Sequence, residues 1–194
     1  WDGKGWPGKV AGDEAPVASH AVTVSYRILG ARTIGFTVSG WDRRRPLVID
    51  PAVQYATLLG GSGTDGPISG AAAQAGRCLV GGSTYSVFDY PTTPGAFQVA
   101  GGAPKEGVVT CLSIDGKALE FSTFLGGPSF DDSVLDVEWA ADGSALATGY
   151  TDSAFEFPVT AGAFDATGNG GADGFVARLS VDGSSLIYST YLGG

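Results

Sequence analysis

The sequence predicts an all-β protein made of two tandem four-stranded antiparallel β-propeller-like blades, preceded by an N-terminal segment that contains a β-hairpin. Three observations lead there. A phrase recurs, as YATLLGG at Tyr55–Gly61, FSTFLGG at Phe121–Gly127 and YSTYLGG at Tyr188–Gly194, with Leu59, Leu125 and Leu192 spaced by 66 (125 − 59) and 67 (192 − 125) residues. The interiors agree: Pro91–Phe97 (PTTPGAF) answers Pro158–Phe164 (PVTAGAF), and Val108–Gly116 (VVTCLSIDG) answers Phe175–Gly183 (FVARLSVDG). Between the phrases, short β-rich runs alternate with turn signals and no helical period is sustained, which is how a small antiparallel sheet reads. Four strands at a constant period fit a propeller blade better than a sandwich, whose strands do not recur in fours.

Residues 1–20 carry Gly3, Gly5, Pro7, Gly8 and Pro16, too many breakers for regular structure, and read as an irregular arm or linker. Residues 21–53 read as a β segment. Val22–Ile28 and Thr33–Val38 alternate apolar and polar residues about Gly30, the period and turn chemistry of a hairpin, and Leu47–Ile49 adds a short strand closed by Pro51. The first blade, residues 54–123, has strands expected near Ile68–Gln74, Arg77–Thr84, Gly107–Ile114 and Ala118–Leu125, with Asp115-Gly116 at a tight turn. The second, residues 124–194, has them near Val134–Ala140, Ala145–Thr151, Gly174–Val181 and Ser185–Leu192, with turns at Asp142-Gly143 and Asp182-Gly183. The LGG phrase is then the end of one blade's outer strand, passing through a glycine turn into the next blade. Between the second and third strands lie long excursions, Tyr85–Glu106 and Asp152–Asp173, whose aromatic and proline residues (Phe88 to Pro91, Phe155 to Pro158) are expected to pin the loop on its own blade.

The phrases YLGG and FPxTxGAF, and above all the closing FVARLSVDGSSLIYSTYLGG, resemble the bacterial SBBP repeats, named for the seven-bladed β-propeller. The resemblance covers about Tyr55 to Gly194. The segment Tyr26–Pro51, with Gly35-Phe36 and RPLVIDP at 45–51, is similar to the end of the β-rich domain that precedes such repeats in large secreted proteins. It implies an extracellular or cell-surface, bacterial-like setting and no particular activity. The family's first strand commonly ends in Asp, where this chain has Ala73 and Ala140, so no metal role of that Asp carries over.

Composition narrows the function classes. With a net charge of −9 and a pI near 4.3, the chain lacks the clustered Lys and Arg that displace counterions from nucleic acid. Its one basic run, Arg43, Arg44 and Arg45 before Pro46, reads as a solvated turn. No run approaches the ~18 apolar residues of a membrane span, so no membrane insertion is expected. A chain without Met that starts at Trp1 reads as a processed or excerpted product. Glycine, at 32 of 194 residues, exceeds twice the usual ~7% but falls regularly between β-rich runs, which means many turns and not disorder.

Catalytic and metal chemistry finds little footing. His20, the only histidine, lies on the breaker-rich arm, so no catalytic residue is assigned and no enzyme is expected. Asp131, Asp132, Asp136 and Glu138 offer paired carboxylates of the kind glycosidases use, but the first copy answers them with Asp65 and then Gly or Ala, so they read as a solvated acidic edge. Calcium, the one metal worth weighing, has Asp165, Asn169 and Asp173 in a Gly-rich loop with Asp152 and Glu156 nearby. The spacing matches no EF-hand or nonapeptide repeat, so no metal or cofactor is assigned. Gly168–Gly174 lacks the Lys and helix of a phosphate loop. Cys78 and Cys111 are a candidate disulfide or two buried thiols.

A lone blade cannot bury both faces, and open strand edges template pairing with other chains. The leading expectation is a noncatalytic extracellular structural or adhesive protein that self-associates into an oligomer or fibre through blade edges and the N-terminal arm. Trp1, Trp6 and Trp41 are its candidate subunit contacts, with further blades of the same protein as the other source of closure. The alternative is a ligand-binding fragment of a larger propeller, with a glycan stacked on Tyr85, Tyr90 and Tyr150.

Overall fold

Ten strands and no helix form among the described residues, 23–30, 33–42, 44, 55–66, 70–153 and 156–193, of a computed structural model. Contacts divide the chain into two compact units, 1–52 and 53–194. In the first, β1 (Thr23–Gly30) and β2 (Thr33–Ser39) pair antiparallel with Tyr26 opposite Phe36, and Gly30 closes β1 opposite Thr33. Residues 1–20 with Trp1, Trp6 and His20, the Leu47–Ile49 strand, and Arg43 and Arg45 lie outside the described residues. Trp41 is half-buried, and the Arg44 amide donates to Asp42 Oδ1 at 3.0 Å, closing a small turn.

The second unit holds the two four-stranded antiparallel sheets that the repeat predicts. The first blade runs β3 (Gly70–Gln74), β4 (Arg77–Thr84), β5 (Glu106–Leu112) and β6 (Leu119–Leu125), neighbours in chain order. The second repeats this as β7 (Asp132–Trp139), β8 (Ala145–Thr151), β9 (Asp173–Leu179) and β10 (Leu186–Leu192). Three strands start earlier than expected, at Glu106, Asp132 and Asp173. An acid is a poor strand former and ends a sequence-based run, yet all three side chains are buried.

Alternation sorts the faces. On the first blade Leu79, Val109, Cys111, Phe121 and Leu125 point to the second blade, whose Val134, Val137, Ala147, Phe175, Ala177 and Tyr191 join them in one core. Gly81 lets β7 come this close, because a Cβ there would stand 2.6 Å from Val137 Cγ1 and 2.7 Å from Val134 Cγ1. The opposite face of the first blade holds a smaller cluster of Tyr90, Val108 and Phe124 with Leu59 against it.

The excursions do more than pin themselves. Tyr90 packs on Phe124 at 5.8 Å and Phe157 on Phe175 at 4.4 Å, as the aromatic residues suggested, while Phe88 stands in solvent. Each excursion also bonds along its own outer strand: Thr93 N–H donates to Ser122 O at 3.0 Å and Phe124 N–H to Gln98 O at 3.0 Å. In the second blade Thr160 N–H donates to Ser189 O at 3.1 Å and Tyr191 N–H to Asp165 O at 3.0 Å. The outer edges β6 and β10 are therefore already occupied, and the expectation of open edges there is corrected: what the second blade leaves open is a face.

Both cysteines are free thiols. Cys78 is opposite Leu112 and Cys111 opposite Leu79, so the two are one residue out of register and point to opposite faces of the sheet. Burial pushes the Cys111 thiol up to about 12, which keeps it protonated and unreactive.

Candidate functional site

The LGG phrase meets a carboxylate at each of its three occurrences, and at the junction between the blades one glycine, Gly126, meets two. β6 ends at Leu125, Gly126 and Gly127 follow, and β7 starts at Asp132. Asp132 Oδ2 accepts the Gly127 amide at 2.7 Å and the Ser153 hydroxyl at 3.2 Å, which fixes where the second blade begins relative to the end of the first. At the first phrase Asp65 Oδ2 accepts the Gly61 amide at 3.0 Å and Oδ1 the Thr84 hydroxyl at 2.6 Å.

The chain bends at Gly126 as it leaves β6, but neither glycine of the pair adopts a left-handed φ at 126 and 127, so a positive φ is not what they supply. They are glycine because of crowding. A Cβ at Gly126 would overlap Glu106 Oε2 and stand 2.5 Å from Asp132 Oδ2, and one at Gly127 would stand 2.6 Å from Ser153 Oγ. Gly60 meets Asp65 in the same way, and Gly193 meets Asp173. Gly126 alone has an acid on both sides, one from each blade.

Glu106 is the residue the sequence reading passed over. Its signal was present, since Asp173 stands 67 residues on (173 − 106) at the start of the matching strand. Glu106 Oε1 accepts the amides of Gly102 at 2.7 Å and Ala103 at 2.9 Å. Burial pushes Glu106 up to about 7, against the pull of those amides, and the Asp132 charge adds to the rise. Burial likewise pushes Asp132 up to about 6, against the Thr151 hydroxyl and the Gly127 amide. Both carboxyls are sealed from solvent, so no glycosidic oxygen reaches them and they are no glycosidase pair.

The other candidates scatter. Asp136 and Glu138 are exposed, as a solvated edge requires, whereas Asp132 is not. Asn169 N–H donates to Asp173 Oδ2 at 2.7 Å and its side-chain amide to Asp165 Oδ2 at 3.4 Å, so the Gly-rich loop ties its own acids down, while Asp152 and Glu156 are exposed. Among the described residues no three His, Cys, Asp or Glu side chains are grouped to hold a metal. Of the three tyrosines suggested for a glycan, Tyr90 is buried with its hydroxyl 3.2 Å from Thr110 Oγ1. Tyr150 bonds Lys105 Nζ at 2.7 Å and is drawn below its ordinary value by that ammonium, and Tyr85 is exposed. No helix of the described residues is long and apolar enough to cross a membrane.

The blade contact also repeats position by position. Phe121, the first residue of its phrase, lies under Gly183 at the β9–β10 turn, and Tyr55 lies under Gly116 at the β5–β6 turn. The Phe97 amide donates to Gly183 O at 2.9 Å. One period later the same positions are open: Phe121 is 1% exposed but Tyr188 38%, Leu125 0% but Leu192 50%, and Phe97 is half-buried but Phe164 is 89% exposed. No family model matches this chain, and no curated protein matches it.

Proposed function

We propose that the protein is a noncatalytic, extracellular or cell-surface structural β-repeat module whose blade faces dock further blades of the same kind, carried by other copies of the chain. The observation that carries this reading is the open face of the second blade. Phe164, Tyr188 and Leu192 occupy the repeat positions that hold one blade on the next at Phe97, Phe121 and Leu125. Val176 and Leu146 stand beside Tyr188 and widen the patch. At the other end, Tyr55–Gly61 sits on the first blade as an outer-strand phrase without strand pairing of its own, with Leu58 wholly in solvent. Head-to-tail docking of such ends gives open chains of subunits unless the rotation closes a ring. The setting outside the cell rests on the resemblance to SBBP repeats.

Concentration series of the full chain by light scattering and mass photometry test it. Dimers and higher species are expected to grow with concentration and to be lost in Phe164→Ser/Tyr188→Ser, with the melting temperature of the monomer kept. A chain that stays monomeric at about 100 μM, far above the ~1 μM affinity of a modest interface, overturns the reading.

A further inference from the structure

Glu106 and Asp132 are buried with no counter-charge: neither belongs to any of the three ion pairs among the described residues. They come from the two different blades and converge on Gly126, where Glu106 Oε2 and Asp132 Oδ2 crowd the place a Cβ would take. Glu106 Oε1 is satisfied by two backbone amides, whereas Oε2, on the side of Asp132, has no hydrogen-bond partner. Two buried anions on either side of one glycine repel each other and forgo hydration, and one proton relieves both costs by turning a carboxyl oxygen into a donor near an acceptor. We propose that Glu106 and Asp132 carry a single proton between them, and that losing it loosens the packing of one blade on the other.

The surroundings offer no substitute for that proton. Lys105 is next in the chain, but its ammonium is held by Tyr150 Oη at 2.7 Å. Asp152 adds to the negative field at Asp132, Asp131 precedes it in the chain, and Glu156 stands exposed on the excursion. The Tyr191 hydroxyl donates to Ser153 O at 2.7 Å and not to either acid. Because both carboxyls are raised, to about 7 and about 6, above their unfolded values, the stability they contribute is complete below about pH 4. It is lost as pH rises through that range.

The full chain melted at steps from pH 5 to pH 8 reads this out. The wild-type melting temperature is expected to fall by on the order of 5 °C over that interval. In Glu106→Gln, which keeps the acceptor for Gly102 and Ala103, the fall is expected to be clearly smaller than in the wild type, burial of Asp132 alone supplying what remains. A flat wild-type profile, or a variant with the wild-type slope, overturns the proposal. Should the variant not fold, carboxyl ¹³C titration of the wild type decides: a midpoint above about pH 5.5 for either acid supports the shared proton, and two midpoints near the ordinary ~4 sink it. Melting is run at a concentration where the chain is monomeric, so that self-association does not enter the profile.

Discussion

Gly183→Ala separates two reasons for a glycine in one turn, and Gly162→Ala is its control. Both residues have left-handed φ, +67° and +80°, so both alanines meet the same backbone cost. That cost is about 1–2 kcal/mol, offset by about 0.4–1 kcal/mol from a stiffer unfolded chain. At Gly162 nothing lies within 4 Å of the new methyl, and a net loss of about 1 kcal/mol is all that is expected. At Gly183 the methyl lands on Phe121, 2.5 Å from Cγ and 2.9 Å from Cβ, and the ring is locked in the core between the blades. Overpacking of a closed core adds about 1–3 kcal/mol, for a total of about 2–4 kcal/mol. In a chain of this size each kcal/mol is worth ~2–4 °C, so the control should melt a few degrees early and Gly183→Ala about 5–15 °C early. Urea unfolding followed by near-ultraviolet circular dichroism measures both, and Phe121→Leu combined with Gly183→Ala should recover part of the loss. Equal losses at the two glycines would refute the claim that the phrase's leading aromatic holds one blade on the turn of the next.

At the acid end the slope should reverse. The Ser144 hydroxyl and amide draw Asp142 down to about 2, and the Ser180 and Ser184 hydroxyls do the same for Asp182. Stability that these turns contribute above pH ~4 is lost as pH falls through about 2, so Asp142→Asn/Asp182→Asn should flatten acid unfolding between pH 4 and 1.5; an unchanged acid limb counts against it. Arg77 bonds Glu120 at 3.0 Å and stacks 4.4 Å over Trp139 of the other blade. Arg77→Leu should cost about 1 kcal/mol in urea unfolding and Arg77→Lys should restore little, because the planar fork does both jobs; full rescue by Lys would show that charge alone matters.

Much of this architecture was legible in one dimension. The repeat, the four strands of each blade and the hairpin follow from local period and turn chemistry: Arg77–Thr84 and Ala145–Thr151 form with the expected limits, and Asp115-Gly116, Asp142-Gly143 and Asp182-Gly183 turn where Asp-Gly requires it. Local pattern could not place Glu106, Asp132 and Asp173 inside strands. Their reason for being there is a junction between elements far apart in the chain, and a propensity scale reads an acid as the end of a strand. The LGG pair shows the same limit. Its recurrence was plain, but its cause is crowding by side chains outside the phrase: Asp65 at Gly60, Asp173 at Gly193, and at Gly126 two carboxylates from different sheets. Likewise Phe97 and Phe164, or Phe121 and Tyr188, are equivalent letters with opposite burial. Which units repeat is written in the chain, because strand period and turn residues act over a few neighbours. Which repeat faces are covered and which acids lose their water depends on the packed blades, because burial is set by what packs against a residue and not by the residue.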